Sequence, residues 1–77
     1  MKRYSNKEYE SLKVGESVKV IINEIETTQE VFKLQKKKYN NDINSKNYII
    51  HLYWIEINNA LHQICLSKGG YIIPCDI

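Results

Sequence analysis

Proline is nearly missing: Pro74 stands alone in 77 residues, and the only glycines are Gly15, Gly69 and Gly70. That scarcity excludes a Pro/Gly-rich linker or a low-complexity chain. Arginine is confined to Arg3, so the chain has little of the planar, bidentate donor chemistry that specific phosphate or carboxylate recognition favours. Two cysteines, Cys65 and Cys75, are too few for a disulfide scaffold and are expected as unbridged thiols. No apolar run reaches the ~18–20 residues that a membrane helix requires. The basic start Met1-Lys2-Arg3 is followed by polar residues, not by the apolar segment of a secretory signal. The expectation is a cytoplasmic protein without membrane contact.

What is present is the composition of one small folded domain over residues 1–77. Hydrophobic residues make up 43% and charged residues 26%, which is enough apolar surface to form a core and too little charge for a disordered tail. A chain this short buries only ~60% of the surface its unfolded form exposes, so the core is thin. Ile, Val and Tyr carry much of the apolar share, and these residues suit a pleated sheet. The abundance of Lys, Asn and Ile is the style in which AT-rich bacterial and bacteriophage genomes write proteins.

Ser5 and Glu8 have the spacing of a capping box, in which each side chain satisfies an orphan backbone donor at a helix start. A short helix follows over residues 5–12, ending toward Gly15. It is too short to stand alone and docks through Tyr9, Leu12 and Tyr4. Val18, Val20 and Ile22 then alternate with polar residues as in a half-buried strand. Ile21 and Ile25 fall out of phase, which predicts a bulge or bend near residues 21–23. Thr27-Thr28-Gln29 reads as the turn, and Glu30–Lys36 as the second strand with Phe32 and Leu34 inward and Val31 outward. Residues 36–47 are rich in Lys and Asn and read as a long exposed loop.

Residues 48–67 form the strongest pattern. Tyr48–Ile57 is apolar on both faces, and Asn58-Asn59 can take the positive φ angles of a two-residue hairpin turn. That turn sets Ile57 opposite Ala60, Ile55 opposite His62, Tyr53 opposite Ile64 and His51 opposite Leu66. One face carries Ile49, Tyr53, Ile55, Ile57, Ile64 and Leu66; the other carries Tyr48, Ile50, Leu52, Trp54, Leu61 and Cys65. Lys68-Gly69-Gly70 turns the chain into a last strand over residues 71–75, where Pro74 restricts pairing to an edge or to one side. The expected fold is mainly β: a small five-stranded antiparallel barrel or strongly bent sheet, SH3-like or OB-like in outline, with a short N-terminal helix.

Chemistry is sparse. His51, His62, Cys65 and Cys75 are potential zinc ligands, but no two have the close spacing of a structural site. The hairpin register also separates the histidines by roughly 13 Å, at ~3.3 Å per residue. Neither histidine has a nucleophile and an orienting carboxylate beside it, and Gly69-Gly70 lacks the helix and lysine of a phosphate loop. No catalytic residue, metal or cofactor is expected, and the chain reads as a non-enzyme.

The feature that reaches outward is the cluster Lys33, Lys36, Lys37, Lys38 and Lys46 around Tyr39. Lysine with an interleaved aromatic could engage nucleic acid, whereas lysines at a strand edge more commonly keep sheets from aggregating. Glu16, Glu24, Glu26 and Glu30 cluster elsewhere, so the molecule is expected to be dipolar, which suits oriented docking on a protein. The leading expectation is a stoichiometric binding protein for a larger protein or protein–nucleic acid assembly, with Lys36, Lys37, Lys38, Tyr39, Lys46, Tyr48 and Trp54 as its contact residues. Size, composition and lack of chemistry resemble the accessory proteins with which bacteriophages inhibit host defences. The alternative is a nucleic-acid- or nucleotide-binding small β-barrel that uses the lysine-rich segment. A homodimer is a further partner that the two-faced hairpin admits.

Overall fold

The computed structural model describes residues 1–41 and 46–75, with side chains at 39–41 and 46–48 outside the description. One short helix, α1 (Asn6–Glu10), precedes six strands: β1 (Ser17–Ile22), β2 (Ile25–Glu30), β3 (Lys33–Asn41), β4 (Lys46–Ile57), β5 (Ala60–Leu66) and β6 (Ile72–Pro74). They form one mixed sheet in the order β2-β1-β6-β5-β4-β3. All ladders are antiparallel except β1–β6, which is parallel and paired at Val20 and Ile72. The protein is thus mainly β with a short N-terminal helix. Among the described residues there are six strands where five were expected, and their sheet is not closed into a barrel.

The first hairpin differs from its sequence reading. β1 and β2 are joined by Asn23-Glu24, both at positive φ (50° and 68°), with Ile22 opposite Ile25. The phase change near Ile21 marks this turn and not a bulge. Thr27, Thr28 and Gln29, read as a turn, lie inside β2. Thr27 is held there by its own hydroxyl, which donates to the Val20 carbonyl at 3.0 Å.

The chain from β2 to β3 is nearly continuous and changes partner between two adjacent residues. The Val31 N–H donates to the Glu16 carbonyl (2.9 Å), and the Val31 carbonyl accepts from Gly15 N–H (2.8 Å). One residue later, Phe32 N–H donates to the Trp54 carbonyl at 2.8 Å. A strand that leaves one end of a sheet and joins the other bends the sheet sharply, as at the corner of an orthogonal packing. This corner inverts the expected phase: Val31 is fully buried, whereas Phe32 is 52% exposed. Leu34 does pack against the core as expected.

The core consists of Tyr4, Leu12, Val18, Val20, Val31, Tyr53, Ile55, Ile64 and Ile72. The capping box at Ser5 and Glu8 is formed in both directions, and it sets the helix so that its flanks reach this core. Tyr9 stacks edge-on against Tyr53 with ring centroids 5.0 Å apart, and its hydroxyl donates to the Ile64 carbonyl at 3.1 Å. The helix ends at Glu10 with Ser11 as its cap, earlier than the sequence suggested. Gly15, at φ 90°, serves the entry to β1 instead.

The second hairpin has the expected register from Ile57–Ala60 to Tyr53–Ile64, with Asn58 and Asn59 at φ 52° and 66°. The ladder stops there. The expected His51–Leu66 pair is not formed; on their other sides, His51 pairs with Lys36 and Leu66 with Ile72. Cys65 lies opposite Ile73, and Cys75 N–H donates to the Gln63 carbonyl at 2.8 Å. The cysteines form no disulfide. β6 sits between β1 and β5, yet Pro74 pairs only with Ile64, which meets the restriction its missing donor imposes.

Candidate functional site: the basic ribbon of β3 and β4

The segment read as a long loop is mostly strand. β3 runs to Asn41 and β4 begins at Lys46, in a ladder that includes Gln35–Leu52, Lys36–His51, Lys37–Ile50, Lys38–Ile49, Tyr39–Tyr48 and Asn41–Lys46. The start of β3 lies in the expected second strand, but from Lys36 to Asn41 polar and apolar residues do not alternate, so that part of its sequence gives no strand signal. The register is supplied by β4, whose apolar run needs a partner on that side. Residues 42–45, the remainder of the expected loop, lie outside the described residues.

Between Lys46 and Leu52, β4 pairs only with β3 among the described residues, since its ladder with β5 begins at Tyr53. The two strands therefore project as a ribbon, and the molecule measures 41 × 26 × 21 Å. Its radius of gyration of 13.3 Å exceeds the ~11–12 Å of a compact chain of this length.

Directly opposed residues of an antiparallel pair share a face. One face of the ribbon carries Lys33 with Trp54, Gln35 with Leu52 and Lys37 with Ile50; the other carries Leu34 with Tyr53, Lys36 with His51 and Lys38 with Ile49. Lys36, Lys37 and Lys38 are all exposed. Ile49 is 57% and Ile50 37% exposed, so both faces present an apolar residue beside a cation. At the base, the Lys33 ammonium lies 4.9 Å from the Trp54 ring centroid, a cation–π contact worth ~0.5–1 kcal/mol at an exposed site. The imidazole of His51 is anchored, with Nδ1 2.9 Å from the Glu10 carbonyl oxygen.

Charge is segregated along the chain. From Val31 to Ile55 there are five lysines and a single acidic residue, Asp42. Glu24, Glu26 and Glu30 are exposed on the β1–β2 hairpin, where the Glu26 carboxylate accepts from Lys2 N–H at 2.7 Å.

Of the seven residues singled out in the sequence, all lie on β3 or β4. Lys36, Lys37, Lys38 and Trp54 have described side chains; Tyr39 and Tyr48 are opposed positions in the ladder, and Lys46 is opposed to Asn41. Trp54 is half-buried, with the Lys33 ammonium over its ring. Sequence reasoning missed the exposure of Ile49 and Ile50, whose signal would have been their position beyond the end of the β4–β5 ladder.

Among the described residues there is no cavity and no group of three His, Cys, Asp or Glu side chains that could hold a metal. No described helix is long and apolar enough to cross a membrane. No protein-family model, no curated protein and no solved structure matches this chain.

Proposed function

We propose that the chain is a non-catalytic binding protein that acts stoichiometrically on a larger protein or protein–nucleic acid assembly, with the β3–β4 ribbon as its contact surface. The observation that carries this reading is the pairing of exposed isoleucines with lysines on both faces of one projecting element: Lys37 with Ile50, and Lys38 with Ile49. Lysine brings long-range attraction to an acidic surface, and the isoleucines supply apolar area that gains from leaving water. Among the described residues β3 has no second ladder, so the backbone groups on its outer edge add hydrogen-bonding capacity.

Direct binding to nucleic acid is the second reading, favoured by the five lysines against one acidic residue from Val31 to Ile55. The readings separate by light scattering of the purified protein, with and without a short single-stranded oligonucleotide at low salt. An unchanged mass is the result expected of the protein-binding reading. A mass increase that fades as salt rises, and is absent in a Lys36→Glu/Lys37→Glu/Lys38→Glu variant, would transfer the function to nucleic acid.

A further inference from the structure

We propose that the outer edge of β3 accepts an acidic, extended segment of the partner protein as an added strand. This deepens the ribbon reading by naming how the partner is held. β3 is an edge of the sheet: its one ladder is with β4, and among the described residues no strand pairs on its other side. Along Lys33–Asn41, alternate backbone N–H and C=O groups therefore point outward, as they do on any edge strand. Such a row is a template for β-augmentation, in which main-chain hydrogen bonds give affinity and side-chain neighbours give selectivity.

The side chains of β3 specify the incoming strand. An added strand places its residues alternately on both faces of the sheet, so it meets Lys33 and Lys37 on one face and Lys36 and Lys38 on the other. Like charges directly opposed destabilise a strand pair, and opposite charges stabilise it by ~0.2–1 kcal/mol each. A second copy of β3 is thereby repelled, and an acidic strand is favoured over a neutral one. The lysines act as a filter at this edge, permitting one class of strand while preventing aggregation with others.

Apolar neighbours favour a peptide over a phosphate backbone. Ile49 and Ile50 lie on β4, one strand in from the edge and on opposite faces, and both are partly exposed. Long side chains of an added strand can cover them across β3. A nucleic-acid backbone has no apolar group to place there, and the chain offers only one arginine, Arg3, for bidentate phosphate contacts.

The test titrates the full chain with a capped peptide repeating Glu-Glu-Phe-Phe over the length of β3, which puts a carboxylate and a long apolar group on each face. The same peptide N-methylated at alternate residues keeps the charge but cannot form the ladder. A short DNA duplex is the third probe. Amide hydrogen exchange at residues 33–38 is read alongside affinity. Strand addition predicts that the plain peptide slows exchange of amides in β3, and that N-methylation weakens binding at least about tenfold. A Lys36→Glu/Lys38→Glu variant, at two exposed positions, should lose the peptide too. Equal binding of the two peptides overturns strand addition while leaving the ribbon as a charged contact surface. Binding of the duplex without the plain peptide overturns it in favour of nucleic acid. Binding of none of the three overturns both the added strand and the ribbon reading.

Discussion

The Tyr53 hydroxyl donates to the Leu12 carbonyl at 3.0 Å, tying the centre of β4 to the segment that follows α1. Tyr53 is fully buried, and this bond satisfies its one polar atom while fixing where the N-terminal segment crosses the sheet. Tyr53→Phe keeps the ring and its packing on Tyr9 but leaves the Leu12 carbonyl without that donor. The expected loss is ~1–2 kcal/mol, read as a lower urea midpoint with an unchanged slope. A midpoint equal to that of the wild type would show that the bond does not hold the segment.

Alkaline pH should unfold the protein through the same pair of tyrosines. Burial pushes the Tyr9 phenol well above its ordinary value of 10, with Cys75, Cys65 and Tyr53 adding repulsion once they are charged. Tyr53 is raised as well, first by burial and then by the carboxylates of Glu10 and Glu16. A phenol raised in the folded state is neutral there while its unfolded counterpart ionises. Its contribution to stability is complete below pH 10 and falls as pH climbs from there toward the folded value. Urea unfolding across the alkaline range should show stability declining above about pH 10. Tyr9→Phe should flatten that decline, and an equally steep decline in this variant would contradict the assignment.

At acid pH the relevant group is Glu8. Its carboxyl is held below the ordinary value of 4.5 by the hydrogen bond from the Ser5 backbone, and then by the Ser5 side chain. The carboxylate form is the one that closes the capping box, through Ser5 N–H at 3.0 Å. This contribution is present above pH 4.5 and is lost as pH falls through the depressed folded value. Ser5→Ala removes the reciprocal bond to Glu8 N–H (3.1 Å) and should cost ~1 kcal/mol at neutral pH. Nuclear magnetic resonance titration of Glu8 in this variant should show its pKa moving back toward the ordinary value.

The parts of the fold that were legible are those where local chemistry and tertiary need agree. Asn58-Asn59 reads as a hairpin turn, and the apolar residues on both sides of it fix the β4–β5 register, as observed. Ser5 and Glu8 announce the cap for the same reason. Asn23-Glu24 escaped because glutamate is a poor resident of the left-handed region, so the phase change around it suggested a bulge. Val31 and Phe32 were inverted because the exchange of partners at the corner is a long-range event with no local marker. The lysine-rich stretch of β3 lacks strand periodicity altogether. Its residues lie in a strand because β4 offers them a ladder, so the basic ribbon was legible as a list of residues but not as a shape.

Two backbone positions with the same sign of φ should respond in opposite directions to substitution. Glu24 sits at φ 68° on an exposed turn, where a left-handed conformation costs a residue with a Cβ roughly 1–2 kcal/mol. Glycine adopts it without that strain, although it adds ~0.4–1 kcal/mol of unfolded-state entropy. Glu24→Gly also creates an Asn-Gly pair, the strongest two-residue hairpin signal, and should stabilise the protein by about 0.5–1 kcal/mol. Gly70 is the converse case. Its φ is 88°, and a Cβ there would lie 3.2 Å from the Tyr4 carbonyl oxygen, beside the 2.7 Å bond from Tyr4 N–H to the Gly70 carbonyl. Gly70→Ala incurs the left-handed strain and must also push the N-terminal segment away, so the loss should exceed about 1 kcal/mol. Thermal unfolding of the two variants reads the contrast: Glu24→Gly should melt above the wild type and Gly70→Ala below it. A shift in the same direction for both would mean that turn geometry is not what limits the stability of these two connections.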